Sequence, residues 1–184
     1  LQGDLGRSYA QKTEVWTLIA ARLPATLTLM AAGILVEVVL GLILGTIAAI
    51  YRGGAIDRLV MMAAFVGVSA PQFVVALLLL YLFAVTLGWF PMSGYGSSAH
   101  IVLPAVTLGV LGAGWYARMV RSAMIDVFNQ DYIRTARAKG LSSRRIILRH
   151  ALPNAILPVI AMIGIDIGQF MGGVVVVEAV YGWP

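Results

Sequence analysis

The stretch DYIRTARAKGLSSRRIILRHALPNA, residues 131–155, is basic and lies between two strongly apolar segments. It carries six Lys or Arg side chains, one histidine and a single acid. Lys and Arg clustered beside a membrane span are typical of the cytoplasmic side. The stretch therefore predicts a basic cytoplasmic element that is tied at both ends to membrane helices.

The composition of the 184-residue chain indicates a membrane protein. Hydrophobic residues make up 60% of it and charged residues only 11%, whereas a soluble domain needs more polar cover. Four apolar segments lie at about 25–50, 59–89, 101–117 and 155–177. A helix needs roughly 20 residues to cross a hydrocarbon core of ~30 Å. We predict an all-α, polytopic transmembrane helix bundle.

The second apolar segment is too long for one upright helix, and it contains Ser69-Ala70-Pro71. Proline removes a helix hydrogen bond and clashes with the preceding turn. We predict one span with a kink at Pro71. The alternative is a re-entrant hairpin of two short helices, whose backbone would have to be buried in protein or face water.

The distribution of charge predicts the orientation. Segments 51–58 and 118–150 hold ten of the 13 Lys and Arg residues, so the positive-inside rule places both in the cytoplasm. Residues 1–24 then form an extracytoplasmic segment, and residues 25–184 form a transmembrane domain with a cytoplasmic hairpin at about 126–153. The chain begins with Leu1 rather than Met, and we expect a fragment that lacks terminal helices.

Three polar side chains fall inside predicted spans: Glu37, Asp166 and Gln169. An acid within a span is costly, so it should face the bundle interior or water. Two interpretations stay open, a hydrogen-bonded packing residue and a residue that lines a polar pathway. A proton relay is less favoured, because no intramembrane His or Lys links the two acids.

Two rows of glycine accompany these residues. Gly33, Gly41 and Gly45 share a helix face with Glu37, and the fourth segment carries a second row at 164, 168 and 172. Small residues at this spacing allow helix backbones to approach closely. We predict that both rows pack within the protein.

The basic stretch itself predicts two short helices. Asn129 or Asp131 can cap a first helix, which Gly140 ends as a C′ glycine. Ser142 or Ser143 can cap the second helix. Such an element can anchor on anionic lipid, bind nucleic acid or dock on a cytoplasmic partner; nucleic acid is the least favoured because the loop is small and tied at both ends.

Other motifs argue against an enzyme. Residues 6–13 nearly match the phosphate-binding loop, but Gln11 stands where the second glycine belongs and no strand precedes it. His100 and His150 lack partners at metal-ligand spacing, and there is no cysteine. We predict no catalytic residue, no metal site and no cofactor.

The basic stretch resembles the signature loop of inner-membrane permease subunits of ABC importers. That family pattern is Glu-Ala-Ala, three residues, Gly, nine residues, Ile, one residue, Leu-Pro. Ala136, Gly140 and Leu152-Pro153 match it. The chain departs from it with Arg134 at the Glu position, Thr135 at the first Ala and His150 at the Ile position.

The wider context resembles the peptide/nickel-type branch of these importers. The similar segments are GDLGRS at 3–8, RLPAT at 22–26, DYIRTARAKGL at 131–141 and EAVYGWP at 178–184. Together they extend over nearly the whole chain, which is more specific than any one of them.

The resemblance implies a type I ABC importer permease fold of about six spans in a bacterial or archaeal plasma membrane. It implies a heterodimer with a paralogous permease, two cytoplasmic ATP-binding subunits that hydrolyse ATP, and an extracytoplasmic solute-binding protein. Di- or oligopeptides, nickel or glutathione are the implied substrates. Membrane lipid is an implied partner, and nucleic acid is not.

The resemblance also implies which residues couple transport to the ATPase. Ala136 and Gly140 would pack closely against that subunit, with charged residues at the rim. The full predicted set is Asp131, Arg134, Ala136, Arg137, Lys139, Gly140 and Leu141. The alternative functions are an ion-coupled secondary carrier and a structural membrane scaffold.

Overall fold

The computed structural model describes residues 5–184, and at residues 172 and 173 it describes the backbone only. The regular structure of this part is helical, apart from one antiparallel bridge between Arg7 and Glu14. The helices are α1 (Val15–Ile50), α2 (Ala55–Ser69), α3 (Gln72–Leu79), α4 (Ser98–Phe128), α5 (Asp131–Ala138), α6 (Ser143–Arg145), α7 (Leu152–Ala155), α8 (Leu157–Gly173) and α9 (Val175–Tyr181). Two π-helical segments, Leu80–Thr86 and Ile146–Ala151, continue α3 and α6.

The long helices α1 and α4 are each long and apolar enough to cross a membrane. Two bent pairs, Ala55–Ser69 with Gln72–Thr86 and Ser143–Ala155 with Leu157–Met171, bring the number of possible spans in the described residues to four. With 36 residues, α1 is about 54 Å long at 1.5 Å per residue, which exceeds the hydrocarbon core. It begins ten residues before the predicted span, so residues 15–24 are helical too.

The second predicted span breaks at Pro71. Helix α2 ends at Ser69, Ala70 and Pro71 adopt extended backbone, and the chain resumes in α3 after a bend of 105°. A proline at this point cannot donate the hydrogen bond that would continue α2. The break is thus much sharper than the kink predicted from the sequence, and both a broken span and a re-entrant hairpin fit it.

The first row of glycines packs within the protein, as predicted. Gly33, Gly41 and Gly45 are buried where α1 lies along α4. A β-carbon at Gly41 would overlap the Tyr116 side chain, and one at Gly45 would lie 2.6 Å from the Ala117 carbonyl oxygen. The absence of side chains here is what lets the two helices approach.

The second row of glycines does not pack within the described part of the chain. A β-carbon added to Gly164 or Gly168 would meet no heavy atom within 4 Å. The prediction of internal packing was therefore wrong for these two residues. The reason is that α8 touches α1 and α4 on one face only, and its other face, with Ile160 and Ile165, is exposed.

The carboxyl-terminal residues 178–184 join several helices at one end of the bundle. Tyr181 donates a hydrogen bond to the Ala76 carbonyl oxygen at 3.0 Å, and its hydroxyl also lies 2.9 Å from that of Thr107. Trp183 donates to the Ala25 carbonyl oxygen at 3.0 Å, and Glu178 accepts from Thr26 at 2.6 Å. Segment 178–184 thus holds α1, α3 and α4 together at the end opposite the basic hairpin.

Candidate functional site

The basic hairpin turns at Gly140, as predicted. Gly140 has a φ of +74°, which L side chains rarely adopt. Its amide donates to the Arg137 carbonyl oxygen at 2.9 Å, and the Leu141 amide donates to that of Ala136 at 3.2 Å. These two bonds form a Schellman motif with Gly140 at C′, so the end of α5 is defined by hydrogen bonds.

The predicted caps differ in part from the structure. The residue at the N-cap of α5 is Gln130, not Asn129 or Asp131, and its side chain makes no capping bond. Ser142 does occupy the N-cap of α6, although through its backbone carbonyl, which accepts from Ile146 at 3.0 Å. Asp131 instead lies in the first turn of α5, where its charge is favourable toward the helix dipole.

One face of α5 is packed against the chain itself. Ile133 and Ala136 are buried in a cluster with Tyr116, Val120 and Met124 of α4. Ala136 is only 5% exposed, so it has almost no surface left for another subunit. We therefore revise the role predicted for Ala136, because its small side chain lets α5 lie close to the bundle.

The opposite face of α5 is exposed. Positions i, i+3, i+4 and i+7 share a helix face, and here they are Asp131, Arg134, Thr135 and Ala138. Arg134 donates to Asp131 at 3.2 Å, an exposed pair within one turn. We call these four residues the outward face of α5. The other predicted residues, Arg137, Lys139, Gly140 and Leu141, lie at its side and end.

The hairpin also borders the carboxyl-terminal end of α1. Arg137, Leu141 and Ile146 line a cavity of about 290 Å³ with Ala49 and Ile50. The hairpin therefore contacts α4 directly and meets α1 at this cavity.

An ion pair that the sequence analysis missed lies at the same end of the bundle. Arg121 of α4 donates to both carboxylate oxygens of Asp57, through Nε at 2.6 Å and Nη2 at 2.7 Å. The Gly53 amide adds a third bond to Asp57 at 2.8 Å. Asp57 is 3% exposed. From the sequence, Arg121 contributed only to the predicted orientation in the membrane. No sequence pattern linked it to an acid 64 positions away.

The three intramembrane polar residues meet in one cleft. Glu37 of α1 and Asp166 and Gln169 of α8 line a space of about 490 Å³ together with apolar residues. The remaining lining residues are Val68, Ala70, Leu111, Gly112, Trp115, Met162, Ile165 and Phe170. The sequence had singled out the three polar residues but not their proximity, since Glu37 and Asp166 are 129 positions apart.

The two acids of this cleft are held differently. Tyr116 donates a hydrogen bond to Asp166, a buried pair that joins α4 to α8. Glu37 is 3% exposed, and its Oε2 has no hydrogen-bond partner among the described residues. A β-carbon at Gly112 would overlap the Glu37 carboxyl group, so this glycine makes room for it.

No metal-binding group is found in residues 5–184: no three His, Asp or Glu side chains approach closely enough to share an ion. His100 lies in the first turn of α4 and places Nδ1 2.7 Å from the Ser97 hydroxyl.

Most of the chain matches a described protein family. Residues 41–184 match the family described as binding-protein-dependent transport system inner membrane component. The chain belongs to this family. The resemblance to permease subunits of ABC importers is confirmed, and the inner membrane is the location that the family description states.

Members of the family with assigned transport systems are similar over the whole chain. The glutathione transport system permease protein GsiC of Salmonella typhimurium (strain LT2) is 43% identical over 184 residues, and that of Pectobacterium atrosepticum is 41% identical. In both cases the alignment covers 100% of this chain and 60% of the relative. The chain therefore spans less than two thirds of their length.

A solved structure is similar in fold. The MetNI methionine ABC transporter, in an inward-facing conformation, matches with a TM-score of 0.70 and 23% identity over 91% of this chain and 76% of that one. This likeness confirms the predicted all-α permease fold.

Proposed function

We propose that this chain is a transmembrane permease subunit of an ATP-driven importer for glutathione, di- or oligopeptides or a related solute. The observation that carries the proposal is the basic hairpin, which packs on α4 through one face and presents the other outward. Family membership and the relatives' assignment to glutathione transport support it. An ion-coupled carrier that works alone is not favoured by either.

The partners follow from the same proposal. Two cytoplasmic ATP-binding subunits supply the ATP hydrolysis, and the hairpin docks on one of them. A second permease, a paralogue in a heterodimer, completes the membrane part, and a solute-binding protein delivers the substrate from outside. Residues 5–24 and the end at residues 178–184 lie on the outer side, because most Lys and Arg residues lie toward the other end.

The docking surface is the outward face of α5. Ala138 lies opposite the buried Ile133 and Ala136, so it takes the part that the sequence had assigned to Ala136: a small residue that permits close approach. Arg134 and Asp131 flank it, while Arg137 and Lys139 contact the rim. A short helix ended by a Schellman motif acts as a stiff lever on α4.

A bulky residue on this face tests the docking. We expect Ala138→Trp to reduce co-purification of the ATP-binding subunits at least about tenfold, because the indole fills the docking surface. ATP-driven uptake in proteoliposomes should fall in parallel. Ser122→Trp, at an exposed position of α4 outside the hairpin, is the matched control and should retain both. Unchanged assembly and uptake with Ala138→Trp would contradict the coupling role.

The translocation pathway includes the cleft of Glu37, Asp166 and Gln169. The chain has no cysteine, so single cysteines are easy to interpret. We expect a thiol reagent to modify Gln169→Cys in the assembled transporter and to do so at a rate that changes on ATP binding. Leu35→Cys, exposed on another face of α1, is the control and should show no dependence on ATP. Absence of modification in every state would remove the cleft from the pathway.

The energy source is tested by reconstitution. Uptake by the complete polypeptide should require the ATP-binding subunits and ATP. Uptake driven by an ion gradient without those subunits would favour the secondary carrier instead.

A further inference from the structure

The cleft between α1, α4 and α8 combines a buried, unpartnered carboxyl group with a second acid and no base. Glu37 Oε2 lacks a hydrogen-bond partner in the described part of the chain, and Asp166 has Tyr116 as its donor. None of the residues that line the cleft is Lys, Arg or His. Arg118 stacks 4.3 Å over the Trp115 ring, but it does not line the cleft.

A carboxyl group buried without a partner is costly, and a cation that enters the cleft offsets that cost by pairing with it. The two acids are of the same sign, so they attract the same kind of ligand. An anionic group finds no Lys, Arg or His side chain to pair with among the residues that line the cleft. The two acids of the cleft therefore favour a ligand that carries a positive charge.

The size and the apolar lining decide the kind of cation. A space of about 490 Å³ is much larger than the ~30 Å³ that one water occupies. Leu111, Met162, Ile165 and Phe170 supply apolar surface around the acids. A bare metal ion does not use such a lining, and within residues 5–184 no third His, Asp or Glu side chain joins the two acids to hold one. An organic ammonium group with apolar substituents can pair with the acids and also contact the apolar lining.

We infer that the cleft is a transient subsite for the primary ammonium group of the transported solute, with Glu37 and Asp166 as its counter-charges. The inference rests on the proposed function, because it names the chemical group that this part of the pathway accepts. Gln169, exposed in the cleft one turn beyond Asp166, is placed to donate to or accept from the neighbouring amide or carboxyl group of such a solute.

Charged thiol reagents test the inference directly. The probes are aminoethyl methanethiosulfonate, which carries a primary ammonium group, and sulfonatoethyl methanethiosulfonate, which carries an anion. They are applied to the purified permease and ATP-binding complex in lipid nanodiscs, with Gln169→Cys as the reporter in the cleft. Ser98→Cys is the reference, because residues 90–100 hold no Asp, Glu, Lys or Arg and Ser98 is exposed. The complex without an introduced cysteine is treated in the same way, to correct for reaction of thiols in the partner subunits.

We expect the ratio of cationic to anionic modification rates to be about tenfold higher at position 169 than at position 98. Adding Glu37→Gln or Asp166→Asn to the reporter should each lower that ratio severalfold, and the reference ratio should not change. Two acids are tested separately so that a variant that fails to assemble does not decide the outcome.

The inference would be overturned if the ratio of rates is the same at positions 169 and 98, or if neither substitution changes the ratio at position 169. It would also be overturned if no reagent modifies Gln169→Cys. ATP-driven uptake by the parent transporter is measured in the same preparation. Retained uptake with equal ratios contradicts the ammonium subsite alone, whereas loss of ATP-dependent uptake in the parent contradicts the proposed function.

Discussion

We expect Gly41→Ala to destabilise the protein by about 2 kcal/mol or more, a large effect for a single methyl group. A β-carbon at this position overlaps the Tyr116 side chain and lies 3.2 Å from the Tyr116 Cα and carbonyl carbon. Tyr116 is fully buried, so the overlap can be relieved only by moving α1 away from α4. Thermal unfolding of the complete polypeptide in detergent, followed by tryptophan fluorescence, measures the change.

The matched control is Gly168→Ala, the same substitution in another membrane helix. A β-carbon at Gly168 meets nothing within 4 Å, so no strain opposes the higher helix propensity of alanine, worth up to ~1 kcal/mol. The midpoint temperature of unfolding of Gly168→Ala should be unchanged or raised. Equal losses of stability in the two variants would show that close approach of α1 and α4 is not the cause.

The effect of Gly41→Ala should also reach the polar cleft. Tyr116 is both the residue that the new methyl group displaces and the donor to Asp166. Transport by any fraction that assembles should therefore fall more than the loss of folded protein explains. Tyr116→Phe, which removes the donor without steric strain, separates the two contributions.

The second large effect is expected from Asp57→Ala, which should cost about 2 kcal/mol. Removing one partner of a buried ion pair leaves the other uncompensated, and the usual cost of about 3–5 kcal/mol is reduced here because the Arg121 side chain is 28% exposed. The Gly53 amide in the connection between α1 and α2 also loses its acceptor. Chemical or thermal unfolding of single and double variants gives the coupling between Asp57 and Arg121.

A surface pair provides the comparison. Asp131 and Arg134 lie 3.2 Å apart with both side chains mostly exposed, and such pairs contribute at most ~1 kcal/mol. Asp131→Ala should therefore change stability little. A coupling between Asp57 and Arg121 as small as that of the surface pair would contradict the interpretation that a buried ion pair holds α2 to α4.

Much of the fold followed from the sequence because membrane insertion depends on local properties. Runs of apolar residues, the unequal distribution of Lys and Arg, and Gly140 after a short polar helix each act within a few turns. The resemblance of residues 131–155 to a permease signature added the family. The glycines at 33, 41 and 45 were also assigned correctly, since their spacing alone places them on one helix face.

The site was predicted only in part, for a physical reason that its residues show. Each polar residue of the cleft was a candidate on its own, because a polar residue within a span is costly wherever it lies. These residues are Glu37, Asp166 and Gln169. Their meeting in one cleft depends on how α1, α4 and α8 pack, which no local pattern encodes. The unpartnered oxygen of Glu37 is likewise a property of the packed bundle.

The sequence by itself indicated a membrane protein with a basic, glycine-ended hairpin, and its resemblance to permease subunits indicated the binding-protein-dependent transport family that the family match confirms. Tertiary structure decided which side of each element is available. It buried Ala136 and exposed Ala138, packed one row of glycines and left Gly164 and Gly168 open, and paired Asp57 with Arg121. The reason is that a helix presents several faces with similar composition, and only contact with other helices, far apart in sequence, determines which of them is covered.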